Sequence, residues 1–170
     1  MSYATRSVHA ACIAQATFDS PLGPMLLART ERGLAGVWFE GQKDHPGELK
    51  APVRQQDPLL SAVAQQLRRY FAGRPMPFDV PLDLQGTPFQ RSVWQALQGI
   101  AAGRTASYGE IARQLGSPRS VRAVGGAVGK NPLSVIVPCH RVIGTNGAIT
   151  GYAGGLDRKR ALLALEGVAL

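Results

Sequence analysis

At 170 residues, the chain suits one ordinary domain, or two small ones sharing an interface. No apolar run could span a bilayer and no signal-peptide core opens the sequence, so a soluble cytoplasmic protein is expected. Cys12 and Cys139 lie far apart, and His9 and His45 add too few partners, so no disulfide framework, metal site or small-molecule cofactor is indicated. The net charge of +8 is uneven: residues 1–86 hold nine Lys/Arg against eight Asp/Glu, and residues 87–170 hold ten against three. Arginine outnumbers lysine fifteen to four, which suits phosphate and base recognition and points to a polyanionic partner for the second half.

Residues 12–40 read as a β-meander. Ile13, Gln15 and Thr17 alternate with smaller residues, Ser20-Pro21-Leu22-Gly23-Pro24 turns the chain, and strands over 25–30 and 34–39 follow. Residues 41–56 are polar and lack periodicity, as a loop would. Asp57 and Pro58 then start a helix whose apolar face carries Leu59, Leu60, Val63, Leu67, Tyr70 and Phe71, and Gly73 stops it. Phe78, Val80, Leu82 and Leu84 alternate as an extended exit. This half shows no constellation of chemical groups and reads as a scaffold.

The second half opens on Thr87-Pro88-Phe89-Gln90, a capping box before the stripe Phe89, Val93, Trp94, Leu97 and Ile100. Ser107 to Glu110 makes a second capping box for a short helix stopped by Gly116. Ser117-Pro118 is expected to cap a third helix through Val121, Val124 and Val128. Two short helices joined through a glycine match a helix-turn-helix. Arg119 and Arg122 lie three apart among small residues, including Ala123, Gly125 and Gly126. Each helical glycine costs about 1 kcal/mol relative to alanine, a cost that close packing or close approach to a ligand backbone would offset. The face as a whole fits a nucleic-acid groove.

Val135 to Val137 reads as a buried strand ending at Pro138, which has no N–H for a ladder. Cys139 and His140 follow at the point where regular backbone gives way. Residues 144–155 are rich in glycine without a phosphate-loop spacing, and form a flexible wall with Tyr152 as its large surface. A last helix from Leu156 to Glu166 carries Arg158, Lys159 and Arg160 at its positive end and Glu166 at its negative end, each against the helix dipole. The cations suit a phosphate backbone, and Glu166 suits His140. Cys139, His140 and Glu166 together supply a nucleophile, a base and an orienter, with the thiol pKa expected to be lowered by the basic surround.

Pro138-Cys139-His140-Arg141-Val142, with Asn131-Pro132 upstream and Gly151-Tyr152 and Glu166-Gly167 downstream, resembles the O6-alkylguanine-DNA alkyltransferases. The resemblance covers nearly all of the second half and, more loosely, the first. It implies an α/β (α+β) fold: a strand-rich, ribonuclease-H-like scaffold over 1–85 and a mainly helical, DNA-binding and catalytic domain over 87–170.

It also implies direct-reversal repair, in which Cys139 irreversibly takes the alkyl group of O6-alkylguanine, or of O4-alkylthymine, in double-stranded DNA. A water would link Cys139 to His140, and Asn131 would brace the turn before the cysteine. Arg122 would replace the flipped base, with Ala123 and Gly125 beside it in the groove-facing helix. Tyr108 would donate to the leaving base, and the Val142 backbone would hold the guanine. Ser134, Tyr152 and Ala153 would shape the pocket, where Ala153 replaces a serine found in several members. The expected state is a monomer needing no cofactor and no metal. Two rivals remain: a non-catalytic helix-turn-helix regulator or damage sensor, indifferent to Cys139, and a multiple-turnover Cys-His-Glu hydrolase.

Overall fold

The computed structural model describes residues 3–170. A helix unforeseen from the sequence, α1 (Tyr3–Ala11), precedes the meander of β1 (Ala14–Ser20), β2 (Gly23–Arg29) and β3 (Leu34–Phe39). The strands pair antiparallel in the order β1-β2-β3. In β1 the inward parity belongs to Ala14, Ala16 and Phe18, while Ile13 stays exposed. Ala14 and Ala16 leave room there for α2 (Pro58–Phe71), which lies across the sheet and brings Leu60, Val63, Leu67 and Tyr70 to the core. Asp57 caps α2 by accepting from the N–H groups of Leu59 and Leu60, each at 3.0 Å, and Gly73 leaves it at φ +80°.

Every residue of β3 is buried, because its outer edge is covered twice. Leu34 N–H donates to Pro81 O and Asp83 N–H to Leu34 O, each at 2.8 Å, so the exit segment pairs with its first residue. Farther along, Val37 N–H donates to Pro132 O at 2.8 Å and Ser134 N–H returns to Val37 O at 2.9 Å. An edge strand exposes unpaired backbone groups. Here those groups anchor the segment that leads to Cys139.

The second half contains α3 (Pro88–Leu97), β4 (Ala106–Ser107), α4 (Tyr108–Gln114), α5 (Val121–Gly129), β5 (Val142–Ile143) and α6 (Leu156–Leu165). Both capping boxes form, with Thr87 and Gln90 on α3 and Ser107 and Glu110 on α4. α4, the turn at Gly116 (φ +71°) and α5 make the helix-turn-helix. Trp94 supports it from α3, its buried indole N–H donating to Ala127 O at 2.8 Å. One apolar cluster runs from Phe18, Phe39 and Leu60 through Trp94 and Val124 to Leu162, so both halves share a core.

The structure corrects three local expectations. Ser117-Pro118 forms a turn and does not cap α5, which starts at Val121 after Ser120. Arg119 therefore precedes the helix and does not share a helical face with Arg122. The Ser117 and Ser120 hydroxyls bond each other, leaving no side-chain oxygen on the helix N–H groups.

The second correction concerns Val135 to Val137, which are buried but form no strand. Ile136 N–H donates to Ser134 O at 2.9 Å around Val135, whose φ is +71°. Cys139 N–H then donates to Val137 O at 2.8 Å around Pro138, at φ −81° and ψ 63°. These are two γ-turns of opposite hand, the first of the strained kind. A β-branched residue at positive φ persists only where its surroundings over-determine it, and Val135 is 1% exposed. Apolar content had matched a strand, but tertiary docking on β3 leaves this run no strand partner.

Third, the cations of α6 turn inward. Lys159, with Leu162 and Leu163, makes the buried face of the helix. Arg158 donates to Leu22 O at 3.0 Å and lies 4.7 Å over the Phe39 ring, tying α6 to the sheet. Only Arg160 of the three stays exposed, 4.0 Å from Asp157.

Candidate active site and nucleic-acid interface

Cys139 begins a single turn of 3₁₀-helix, Cys139–Arg141, immediately after the double γ-turn. Asn131 fixes this loop from inside. Its side-chain amide donates to Val137 O at 2.8 Å and Leu133 O at 3.4 Å, and its Oδ1 accepts from Leu133 N–H at 2.9 Å. Burial pushes the Cys139 thiol up. The Asn131 amide, the Lys159 charge and nearby backbone N–H groups oppose that shift without overcoming it. The expectation of a lowered thiol pKa is therefore reversed, because desolvation of the buried anion outweighs the Lys159 charge. Cys139 rests as a thiol and needs a base at the moment of reaction.

The 3₁₀ turn resolves how adjacent residues reach different partners. His140 is wholly buried, and its Nε2 lies 2.7 Å from Glu166 Oε2. Facing a carboxylate, Nε2 carries the proton, which leaves the buried Nδ1 as the acceptor; Nδ1 has no protein partner among the described residues. Burial lowers the His140 pKa against the pull of Glu166, keeping the ring neutral.

Glu166, the C-cap residue of α6, is gripped from three sides. Arg141 Nε donates to Oε1 at 2.7 Å and Nη2 to Oε2 at 3.0 Å, while the Tyr70 hydroxyl donates to Oε2 at 2.6 Å. Burial works against its charge, but the His140 and Arg141 donors prevail and draw the carboxyl down to about 2. Sequence reading anticipated the His140–Glu166 pair and missed the other two partners. Arg141 stood in the motif itself. Tyr70 was hidden by its place on an apolar helix face.

Lys159 is the second omission. Its Nζ donates to Val142 O at 2.6 Å, Thr150 O at 2.7 Å and Gly151 O at 3.1 Å. Burial lowers its pKa to about 8. It ties β5 to the glycine-rich wall, and its spacing from Leu162 and Leu163 was the available sign. β5 pairs in parallel with β4, setting Val142 opposite Ala106 at the entrance to α4.

An open cleft of about 410 Å³ brings Cys139 together with Tyr108, Tyr152, Ala153 and Gly125. The Tyr108 hydroxyl donates to Thr150 O at 3.3 Å. Burial raises the pKa of Tyr108, and raises that of Tyr152 far more, so both are neutral donors. The buried Tyr152 hydroxyl lies near Ser134 and has no hydrogen-bond partner among the described residues. Ser134 instead donates to Gln42 Oε1 at 3.1 Å, behind the wall.

Arg122 and Ala123 lie outside the cleft, on the exposed side of α5. Gly125 backs onto the Tyr108 ring, whereas a Cβ at Gly126 would meet no protein atom within 4 Å. Internal packing therefore does not account for Gly126. The N-terminal half also reaches the cleft: Lys43 N–H donates to Ala153 O at 2.9 Å, and Asp44 lies 3.8 Å from Lys130 across the opening. No group of three or more metal-ligating side chains occurs among the described residues. His9 Nε2 donates to Pro46 O at 2.7 Å, and His45 Nδ1 accepts from Gly47 N–H at 3.0 Å.

A helix-turn-helix beside a cleft with a buried cysteine, backed by a His-Glu pair, defines a DNA-binding protein built for chemistry on a sulfur nucleophile. Comparison with known proteins makes this specific. The 6-O-methylguanine DNA methyltransferase DNA-binding domain matches residues 88–168, and the ribonuclease-like domain of that family matches residues 13–84. The chain belongs to the 6-O-methylguanine DNA methyltransferase family.

Methylated-DNA–protein-cysteine methyltransferase of Methanosarcina acetivorans is 50% identical over 155 residues, covering 89% of this chain and 97% of that protein. The protein of the same name from Mycobacterium bovis is 51% identical over 151 residues, covering 88% and 90%. Among solved structures, Mycobacterium tuberculosis OGT in complex with DNA is 48% identical with a TM-score of 0.86, covering 91% of this chain and 93% of that one.

Proposed function

We propose that this protein repairs DNA by direct reversal, taking the alkyl group of O6-alkylguanine onto Cys139 in a single turnover. Family membership and relatives at about half identity named for this activity support the reading. The observation that carries it is a buried thiol lining a cleft with Tyr108 and Gly125 of the helix-turn-helix, next in the chain to a buried histidine paired with Glu166.

His140 Nδ1 takes the thiol proton, through a bridging water, and the thiolate attacks the alkyl carbon. The new bond is C–S, and the bond that breaks is C–O6. The electron pair stays with the guanine, which takes the Tyr108 hydroxyl proton as it leaves, and the thiol proton held on His140 returns through water to Tyr108, so that protein and base both end neutral. Glu166 keeps the Nε2 proton in place and stabilises the imidazolium as it forms. The thioether has no reverse path, so the protein is consumed with its substrate.

Chemistry at O6 requires the base to leave the stack. Arg122 fills the gap, with Ala123 and Gly125 alongside, and Gly126 keeps the α5 surface low enough for a sugar-phosphate backbone. Tyr152, Ala153 and Ser134 form the pocket wall, and the Val142 main chain holds the guanine edge. Residues 87–170 are the DNA-binding and catalytic unit, and residues 1–85 the unit that braces it. No helix among the described residues is long and apolar enough to cross a membrane, and a cytoplasmic monomer fits this role.

The test is the intact mass after incubation with duplex DNA carrying one O6-methylguanine, followed by peptide mapping. One added methyl per protein, on the Cys139 peptide, is expected. No gain with DNA binding intact would make the protein a sensor or regulator.

A further inference from the structure

A buried polar group of the scaffold half that the reaction as described does not use reaches the Glu166 carboxylate. Tyr70, from α2, is 2% exposed and reaches Glu166, 96 residues later, with its hydroxyl 2.6 Å from Oε2. The same oxygen accepts from His140 Nε2 and Arg141 Nη2. A carboxylate oxygen offers about two lone-pair sites, so three donors on Oε2 compete with one another. Each donor withdraws charge from that oxygen and weakens its hold on the other two.

We propose that Tyr70 is a positioning residue for alkyl transfer, which sets, through Glu166, how strongly His140 Nδ1 holds a proton. The proposal rests on the alkyl-transfer reading. The ring is fixed by Phe71, edge-on with centroids 5.2 Å apart, and by Phe78 at 5.8 Å. The hydroxyl is thus aimed by a rigid aromatic cluster, and a neutral phenol donates at every pH at which the protein is folded. With the hydroxyl in place, Glu166 pulls less on the Nε2 proton and Nδ1 is a weaker base. His140 then remains unprotonated to lower pH, the state in which it can accept the thiol proton. The fold of the first half thereby enters the chemistry of the second.

Tyr70→Phe removes the oxygen and keeps the ring. Glu166 retains His140 and both Arg141 donors, so this variant folds. Two readouts apply: the midpoint of His140 titration by ¹⁵N NMR, and the pH dependence of the single-turnover rate on O6-methylguanine duplex DNA. In Tyr70→Phe both the His140 midpoint and the acid limb of the rate should move to higher pH, by about half a unit or more. Val63→Ala, which loosens the packing of α2 without removing a ring that holds Tyr70, should lower stability and leave both midpoints in place.

Coincident midpoints in the parent and Tyr70→Phe would overturn the proposal, as would an equal shift in Val63→Ala, which would make the effect one of packing. If the parent takes no methyl group, the alkyl-transfer reading fails by itself. The His140 titration still decides whether Tyr70 acts on the His140–Glu166 pair.

Discussion

Arg141 meets Glu166 side-on, with Nε 2.7 Å from Oε1 and Nη2 3.0 Å from Oε2, in a largely buried pair between the 3₁₀ turn and the end of α6. Arg141 Nη1 continues to Ile100 O at 2.5 Å, so the guanidinium also staples the segment after α3. The carboxylate is therefore a structural hub as well as the partner of His140. A two-point fork gives direction as well as strength, which a lysine at this position would not.

The hub makes stability depend on pH with a definite sign. The Glu166 carboxyl sits at about 2 in the fold against an ordinary 4.5. Its contribution is complete above pH 4.5 and is lost as pH falls toward 2, on the order of 3 kcal/mol by linkage. Urea denaturation of the parent and Glu166→Gln should show the variant weaker at pH 7, with the gap narrowing below pH 4.5. A gap that stays constant to pH 3 would mean that ionisation of Glu166 contributes nothing.

Arg122 is exposed on α5 and holds up no part of the core. Arg122→Ala should leave thermal stability within about 0.5 kcal/mol of the parent. Transfer from duplex DNA should fall at least tenfold, while reaction with free O6-benzylguanine stays within about twofold, if the arginine pays the cost of unstacking. Equal losses on the two substrates would remove its role in base extrusion.

Lys159 is an interior cation held by three carbonyls. Lys159→Met fills the space but strands those acceptors, and should destabilise by about 3 kcal/mol. Loss of the nearby charge should also raise the Cys139 thiol further, slowing its alkylation by iodoacetamide at pH 8. An unchanged alkylation rate in folded variant would show that Lys159 is structural only.

Asp57 joins two local devices, the α2 cap and an ion pair with Arg29 at 3.2 Å. Burial disfavours its charge, yet the Leu60 N–H and Arg29 hold its carboxyl below the ordinary value. Asp57→Ala should cost about 1–2 kcal/mol, with little effect on DNA binding. Because α2 carries Tyr70, the alkyl-transfer rate of this variant should report any loosening of Tyr70 against Glu166.

Much of the chain was legible from local signals. The meander, the Asp57 cap, both capping boxes and the helix-turn-helix rest on short-range patterns of turns, caps and periodicity, although the start of α5 did not follow from them. The pairing of His140 with Glu166 was legible because Glu166 stood at the wrong end of a helix dipole. The strand expected at Val135 to Val137 failed because apolar content alone does not separate a strand from buried irregular backbone. The cations of α6 were misread because a charge at a helix end reads as exposed until its neighbours are known.

The sequence by itself determined the meander, α2 and the capped starts of α3 and α4, the charge that suits the second half to a polyanion, and the Cys139-His140 pair with its Glu166 partner. Only the tertiary structure decided that β3 lends its edge to the segment before Cys139, that Val135 is driven to positive φ, and that Lys159 lies inside. It also decided that Tyr70 of the first half closes on Glu166 of the second. Local patterns record interactions between residues a few positions apart, whereas a carboxylate takes its donors from whatever the fold brings within 3 Å. That information exists only once the chain has packed.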